Sequence, residues 1–302
     1  MKTDLHAFFA AFPYPAECAS ALLADFERLA GSPDAAALFF PHVEAYARGD
    51  AIDYEICLAD ARAAGAAASV HQYTAEFLFF CCLAEPLRQR YLARGMSEAL
   101  WHDAMMDLLY KFNECRAVYG ICGSFVASWF SRFFEMTRFA LGRLQFETAP
   151  FFAAEEYERH GIRLTRNKDA VVNVHIPSGS RMPHEAVMDS YRQVYRFYGA
   201  HQKNGLLPIQ CSSWLLYPRL REFLPDTSNI LQFQRDFHIT ETWEDPSFGD
   251  SWRMFEVLYT GDPAALPRNT SLRRSFADWI AAGGVPGAAN GVLLFDGEKI
   301  IV

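Results

Sequence analysis

The chain has 302 residues, 51% hydrophobic and 15% aromatic, with 26 phenylalanines, so it can bury one large core or two modest ones lined with rings. Its 28 basic and 36 acidic side chains leave a formal charge of −8. That balance excludes a broad phosphate-binding surface, and nucleic acid is not expected as a partner.

The seven cysteines are Cys18, Cys57, Cys81, Cys82, Cys115, Cys122 and Cys211. Their number is odd, their spacing irregular, and no CxxC pair occurs, which argues against both a disulfide framework and a structural zinc site. Reduced thiols and a cytoplasmic location are therefore expected. The start, Met1-Lys2-Thr3-Asp4-Leu5-His6, does not read as a secretory signal. The most apolar run, Phe77 to Leu83, is far shorter than the roughly 20 residues of a membrane span and reads as a buried core helix.

In chain order, the first half is helix after helix. Ala19, Leu22, Leu23, Phe26 and Leu29 form one stripe at helical spacing. Gly31 to Asp34 breaks it, with Pro33 suited to the first turn of the next helix. The alanine-rich segment 59–68 favours helix, and an amphipathic pattern from Ser69 ends at Arg94-Gly95, a basic last turn and a glycine cap. Ser97 is an expected N-cap for a helix reaching Val118.

After Gly142 the period changes. Arg143-Leu144-Gln145-Phe146-Glu147 alternates as a half-buried strand does, and so does Gly161 to Thr165 after a loop around 157–160. Asn167-Lys168-Asp169 supplies turn residues for a hairpin into the next strand, Ala170 to Pro177. A loop, Ser178-Gly179-Ser180-Arg181-Met182-Pro183, leads to a helix from Glu185 to Tyr198. A strand over 208–217 follows, then helical patterns at 220–224 and 229–237. His238–Trp243 and Met254–Tyr259 read as the last two strands. A helix near 272–281, a glycine-rich loop and a short apolar end complete the chain. The fold class is α+β (α/β): a helical N-terminal domain, 1–116, before a mixed sheet flanked by helices, 117–302.

Alternation puts Asn173 and His175 on one strand face, and Arg143, Gln145 and Glu147 on one face of another. A buried polar group without a partner costs roughly 1–3 kcal/mol, so two such rows satisfy each other or line a cleft. In the second case Glu147 orients His175 as a general base toward an amine. In the first, Arg143, Glu147 and His175 form a network that fixes register and touches no substrate. Cys211, Ser212 and Ser213 share the next long strand. A hydroxyl or thiol there could serve as an acid, with Tyr217 as a second candidate, and Cys211 could be a nucleophile or an inert buried thiol. Ser228-Asn229 is expected to cap a helix. The remaining histidines, His71 and His102 among them, lack ligand spacing, so no metal is expected.

Several segments carry a resemblance: Gly142 to Glu147, Val174 to Gly179, Asp189-Ser190-Tyr191, Cys211 to Leu216 and Ser228-Asn229-Ile230. They resemble a bacterial family of acyltransferase-domain proteins with a helical acyltransferase N-terminal domain and a GNAT-like (N-acetyltransferase-like) C-terminal domain. The element order also resembles a GNAT domain. The resemblance implies transfer of an acyl group from acyl-CoA or acetyl-CoA, as co-substrate, to a small-molecule amine or hydroxyl acceptor. It implies catalytic roles for His175, Glu147, Cys211 and Ser212. Ile176, Ser178, Gly179, Ser180 and Arg181 would hold the cofactor, and Arg143, Gln145, Asn173, Ser213 and Trp214 the substrate. The loop departs from the usual Gln/Arg-x-x-Gly-x-Gly/Ala pattern, having one glycine and Pro183. The alternatives are a GNAT-like binding module without catalysis and a hydrolase, the latter lacking a GxSxG elbow.

Overall fold

The computed structural model describes residues 5–301, and the chain divides into two compact units, one ending at Thr137 and the other starting at Arg138. In the first unit, helices α1 (Leu5–Ala11), α2 (Ala16–Gly31), α3 (Pro33–Arg48) and α4 (Tyr54–Ala67) precede the two longest, α5 (Gln72–Ala93) and α6 (Glu98–Tyr119). Ser32 caps α3 by accepting from Ala35 N, with Pro33 in the first turn, and Ser97 caps α6 by accepting from Leu100 N. Helix α5 is buried on every side from Thr74 to Ala84, the core helix expected at Phe77 to Leu83, and only its ends keep the amphipathic pattern read from Ser69. Phe77, Phe79 and Phe80 are fully buried in it. Among the described residues, no helix is long and apolar enough to cross a membrane.

The segment 117–137, which the sequence reading gave to the second domain, continues this helical unit. Its loop is tied to the start of α5, because Thr74 donates to the Cys122 carbonyl at 2.9 Å and Ser124 N to the Tyr73 carbonyl at 3.0 Å. The short helix α7 (Ser131–Phe134) ends it, with Phe134 against the Phe80 ring.

The second unit is built on a mixed sheet. Its strands are β1 (Arg138–Leu141), β2 (Leu144–Pro150), β5 (Ala170–His175), β6 (Leu207–Ser213), β7 (His238–Glu244), β8 (Gly287–Phe295) and β9 (Ile300–Ile301), while β3 (Glu156–Arg159) and β4 (Ile162–Thr165) form a separate hairpin. The order is β1-β2-β5-β6-β8-β7, with β9 beside β8. Among the described residues only β5 and β6 pair in parallel, joined by helix α8 (His184–Phe197). Helices α9 (Asn229–Arg235), α10 (Ser251–Phe255) and α11 (Ser271–Ala281) complete the unit.

Several expected elements differ. The turn at 167–169 does not join a hairpin: β4 pairs back to β3 through His160 and Gly161, both at positive φ, while Asp169 ties into Thr165 and Phe151. The strand expected at 254–259 is the end of α10 and a loop, since Met254 and Phe255 turn into a core with Phe248, Phe276 and Ile280. The edge strand β1 went unseen because all four of its residues are buried and do not alternate. The expected glycine-rich loop is a loop only at 282–286, and from Gly287 the chain forms β8, paired on both sides. Gly287 is needed there because a Cβ would stand 2.3 Å from the Trp243 carbonyl and 2.7 Å from the Tyr217 ring.

Candidate active site

The β2–β5 ladder pairs Gln145 with His175 and Glu147 with Asn173, and β1 sets Arg138 opposite Glu147. Cross-strand partners share a face, so these side chains form one polar cluster on a sheet whose other positions are largely apolar. Glu147 Oε1 lies 2.7 Å from His175 Nε2 and 3.0 Å from Arg138 Nη2. Burial alone would raise the Glu147 carboxyl, but the His175 hydrogen bond and the Arg138 guanidinium outweigh it and hold it down at about 2. An ionised carboxylate at that distance requires the proton on Nε2, which leaves the lone pair of the neutral ring on Nδ1. Asn173 meets the same Nε2 at 3.0 Å, so its amide oxygen belongs on that side. The imidazole is thus held in one orientation.

The cluster sits where the sheet opens. The parallel ladder between β5 and β6 covers only Val172–Ile209 and Asn173–Gln210. Beyond Asn173 the two strands part, and His175 stands at that fork, half-buried. Gln210, fully buried, fixes the fork from below by donating to the Pro150 carbonyl at 2.8 Å and accepting from Phe152 N at 2.9 Å.

The arginine on Glu147 is Arg138 and not Arg143, a correction to the network expected from alternation. Arg143 belongs to the two-residue turn before β2, where Gly142 takes φ +69°. Its guanidinium donates to the carbonyls of Pro177 at 2.8 Å, Ser180 at 3.0 Å and Arg181 at 3.2 Å. In a trans peptide the N–H opposes the C=O, so the amides of Ser178, Arg181 and Met182 are turned away from Arg143. The turn is docked on α8 through Ser190 Oγ, which accepts from Arg143 N at 2.8 Å and Leu144 N at 3.3 Å and donates to the Ala186 carbonyl. A Cβ on Gly142 would meet that Oγ at 2.8 Å. The loop therefore presents amides beside the first turn of α8, whose leading N–H groups lack intrahelical acceptors. These ingredients fit a phosphorylated ligand despite the missing glycines. Ser178 and Ile176 are half-buried in the loop, while Gly179, Ser180 and the Arg181 side chain are exposed.

The other expected residues fall outside the cluster. Cys211 is fully buried, and burial pushes its thiol far above the ordinary range, which disfavours a thiolate there. Ser212 is exposed on β6, two residues past Gln210, where the registered β5–β6 pairing ends. Ser213 Oγ accepts from Leu215 N and starts a helical turn, and Trp214 packs near Phe276. Tyr217 is buried against Gly287. Gln145 is buried within the polar face. Ser228 accepts from Ile230 N as the cap of α9.

A second acid–base cluster escaped the sequence reading. His184, the first residue of α8, reaches Asp236 Oδ1 at 2.8 Å, and the fully buried Tyr191 donates to Oδ2 at 3.2 Å. Burial raises the Asp236 carboxyl to about 6 against the opposing pull of His184 and Tyr191. The partners lie 52 residues apart, so no spacing signals them. Among the described residues, no group of three or more His, Cys, Asp or Glu could hold a metal ion.

Comparison with known proteins follows the same division. Residues 3–136 match the model of an N-acyltransferase N-terminal domain, and residues 139–293 that of a GNAT-like C-terminal domain. An acyltransferase solved in complex with decanoyl-CoA and teicoplanin is 24% identical, with 76% of this chain and 67% of that one covered and a TM-score of 0.58. Another, in complex with CoA and 10C-teicoplanin, is 21% identical over 93% and 88% of the two chains, with a TM-score of 0.60. At such identities the likeness is one of fold. No curated protein matches the chain.

Proposed function

The chain belongs to the two-domain family that joins an N-acyltransferase N-terminal domain to a GNAT-like C-terminal domain, and from that premise we propose that it moves an acyl group from acyl-CoA to a small-molecule amine or hydroxyl. One observation carries the reading: an oriented His175–Glu147 pair, 2.7 Å apart, stands where β5 and β6 diverge, beside a loop whose carbonyls are held by Arg143. The acyltransferases of similar fold are complexed with decanoyl-CoA or CoA, which supports the same donor class here.

In this reading the amides of Ser178, Arg181 and Met182 and the first turn of α8 hold the donor's pyrophosphate, with Gly179 and Ser180 allowing close approach. Coenzyme A supplies the activated thioester. His175 takes the proton from the acceptor nitrogen or oxygen as it attacks the carbonyl, and Glu147 holds the imidazolium that results. The proton that His175 takes is the one that neutralises the departing thiolate, and Ser212, exposed at the open end of β6, is the candidate hydroxyl to hydrogen-bond that sulfur. The acceptor is a polar small molecule, as with the teicoplanin bound to a neighbour.

An acyl-transfer assay tests this. Octanoyl-CoA is incubated with a panel of amines and hydroxyl compounds, and product is read by mass. His175→Ala is expected to fold and lose ~10²–10⁴-fold in rate, the usual worth of a general base. A folded His175→Ala protein as active as wild type would refute the assignment. A variant that unfolds would favour the purely structural network, and His175→Asn then separates the two.

A further inference from the structure

The seven cysteines are not alike. Six are buried and Cys122 is half-buried, and burial raises the thiols of Cys57, Cys115 and Cys122 alike, to about 11, about 12 and about 12, so position and not acidity sets one pair apart. Cys18 and Cys122, 104 residues apart in sequence, bring their sulfurs to 2.7 Å. Nonbonded heavy atoms rest at roughly 3.5–4.0 Å, and a disulfide spans about 2.05 Å, so this separation is far inside ordinary contact. No other cysteine pair is recorded at such a distance among the described residues.

Both backbones are held where they are for reasons independent of sulfur. Cys18 lies in the first turn of α2, where Ala19 N donates to the Pro15 carbonyl at 2.9 Å. Cys122 follows the left-handed Gly120 that ends α6, and its carbonyl accepts from Thr74. The next residue, Gly123, is pressed so tightly on the start of α5 that a Cβ would stand 2.5 Å from the Tyr73 carbonyl oxygen. Neither residue can swing away cheaply. Cys18 is buried, but Cys122 is half-exposed, so a small oxidant can reach one member of the pair.

We propose that Cys18 and Cys122 are a preformed dithiol site in the helical unit, oxidised by low-molecular-weight disulfides to an intramolecular cross-link between α2 and the 121–124 loop. The steps balance. The Cys122 sulfur attacks one sulfur of the small disulfide as it gives up its proton, forming a mixed disulfide and releasing one small thiolate. The Cys18 sulfur, already adjacent, then attacks Cys122 Sγ and expels the second. The two protons leaving Cys18 and Cys122 pass to the two released thiolates. The protein loses two electrons and two hydrogens, and the small disulfide is reduced to two thiols. A reductant of the same class reverses the reaction. The cross-link closes a long loop, so it raises the thermal midpoint of the helical unit.

The test uses the full chain. Reduced protein is incubated with glutathione disulfide, remaining thiols are alkylated, and peptides are mapped by mass. The expected product is one cross-linked peptide pair, Cys18 with Cys122, lighter by two hydrogens, with the other five cysteines alkylated and the thermal midpoint raised. In Cys18→Ser, glutathione is expected to remain on Cys122 as a persistent adduct. In Cys115→Ser, the cross-link is expected to form as in wild type. Alkylation of both Cys18 and Cys122 after oxidation would overturn the proposal. So would a lasting glutathione adduct on wild-type Cys122, or a Cys115–Cys122 link.

Discussion

Glu147 grips His175 diagonally across the β2–β5 ladder, Oε1 to Nε2 at 2.7 Å, although the register sets Glu147 opposite Asn173 and His175 opposite Gln145. The diagonal reach leaves Asn173 beside the same ring nitrogen, and Arg138 meets the same carboxylate oxygen. Three strands thus fix one imidazole, which is more restraint than register alone requires.

Glu147 should make stability depend on acid. Its folded-state carboxyl, about 2, lies below the ordinary value of 4.5, so its stabilisation is fully present above pH ~4.5 and lost as pH falls toward 2. Glu147→Gln is expected to lose on the order of 2–3 kcal/mol at neutral pH, by urea denaturation, with the gap to wild type narrowing below pH ~4. A gap that is constant from pH 7 to pH 3 would exclude the ionised pair.

Arg143 should act on the donor's phosphates alone. Arg143→Ala is expected to weaken CoA binding by ~10–100-fold, the worth of one or two charge-assisted hydrogen bonds that order the loop. Binding of an acyl-pantetheine, which lacks the pyrophosphate, should be unchanged. Arg143→Lys should restore little, since one ammonium cannot span three carbonyls as the planar fork does. Equal losses for both ligands would mean that the turn supports the fold and not the loop.

Cys211 should be dispensable for chemistry. Buried and held as a thiol, it packs as a small hydrophobe. Cys211→Ala is expected to cost about 1 kcal/mol in stability and to leave the transfer rate within about twofold. Loss of activity in a folded variant would restore it as a nucleophile.

Asp236 works the other way from Glu147. Its carboxyl is raised to about 6 from 3.8, so its ionisation costs stability as pH rises through that window. Asp236→Asn should be neutral or stabilising at pH 7 and should flatten the dependence between pH 4 and 6. A marked loss at pH 7 would show that the His184 ion pair outweighs burial.

The residues that wrote the site were legible where strands alternate. Asn173, His175 and Glu147 follow period two, so their shared face could be read from spacing, as could the caps at Ser97 and Ser228. Arg138 could not, because β1 is buried at all four positions and carries no alternation. Arg143 was misassigned for a geometric reason: it precedes the first residue of β2, and turn residues do not obey strand parity. The central strand β8 was hidden by Gly287 and Gly291, which punctuate a loop in sequence but give close approach in a sheet. His184 and Asp236 meet only because α8 and α9 pack together, which no local pattern encodes.

Calorimetric titration of the full chain with coenzyme A, acetyl-CoA and octanoyl-CoA tests the central claim most directly. The account predicts micromolar binding, with a preference among acyl lengths that reports the donor. No heat from any of the three, with a folded sample, would contradict a donor site at the β5–β6 fork and leave the His175 cluster as a structural network.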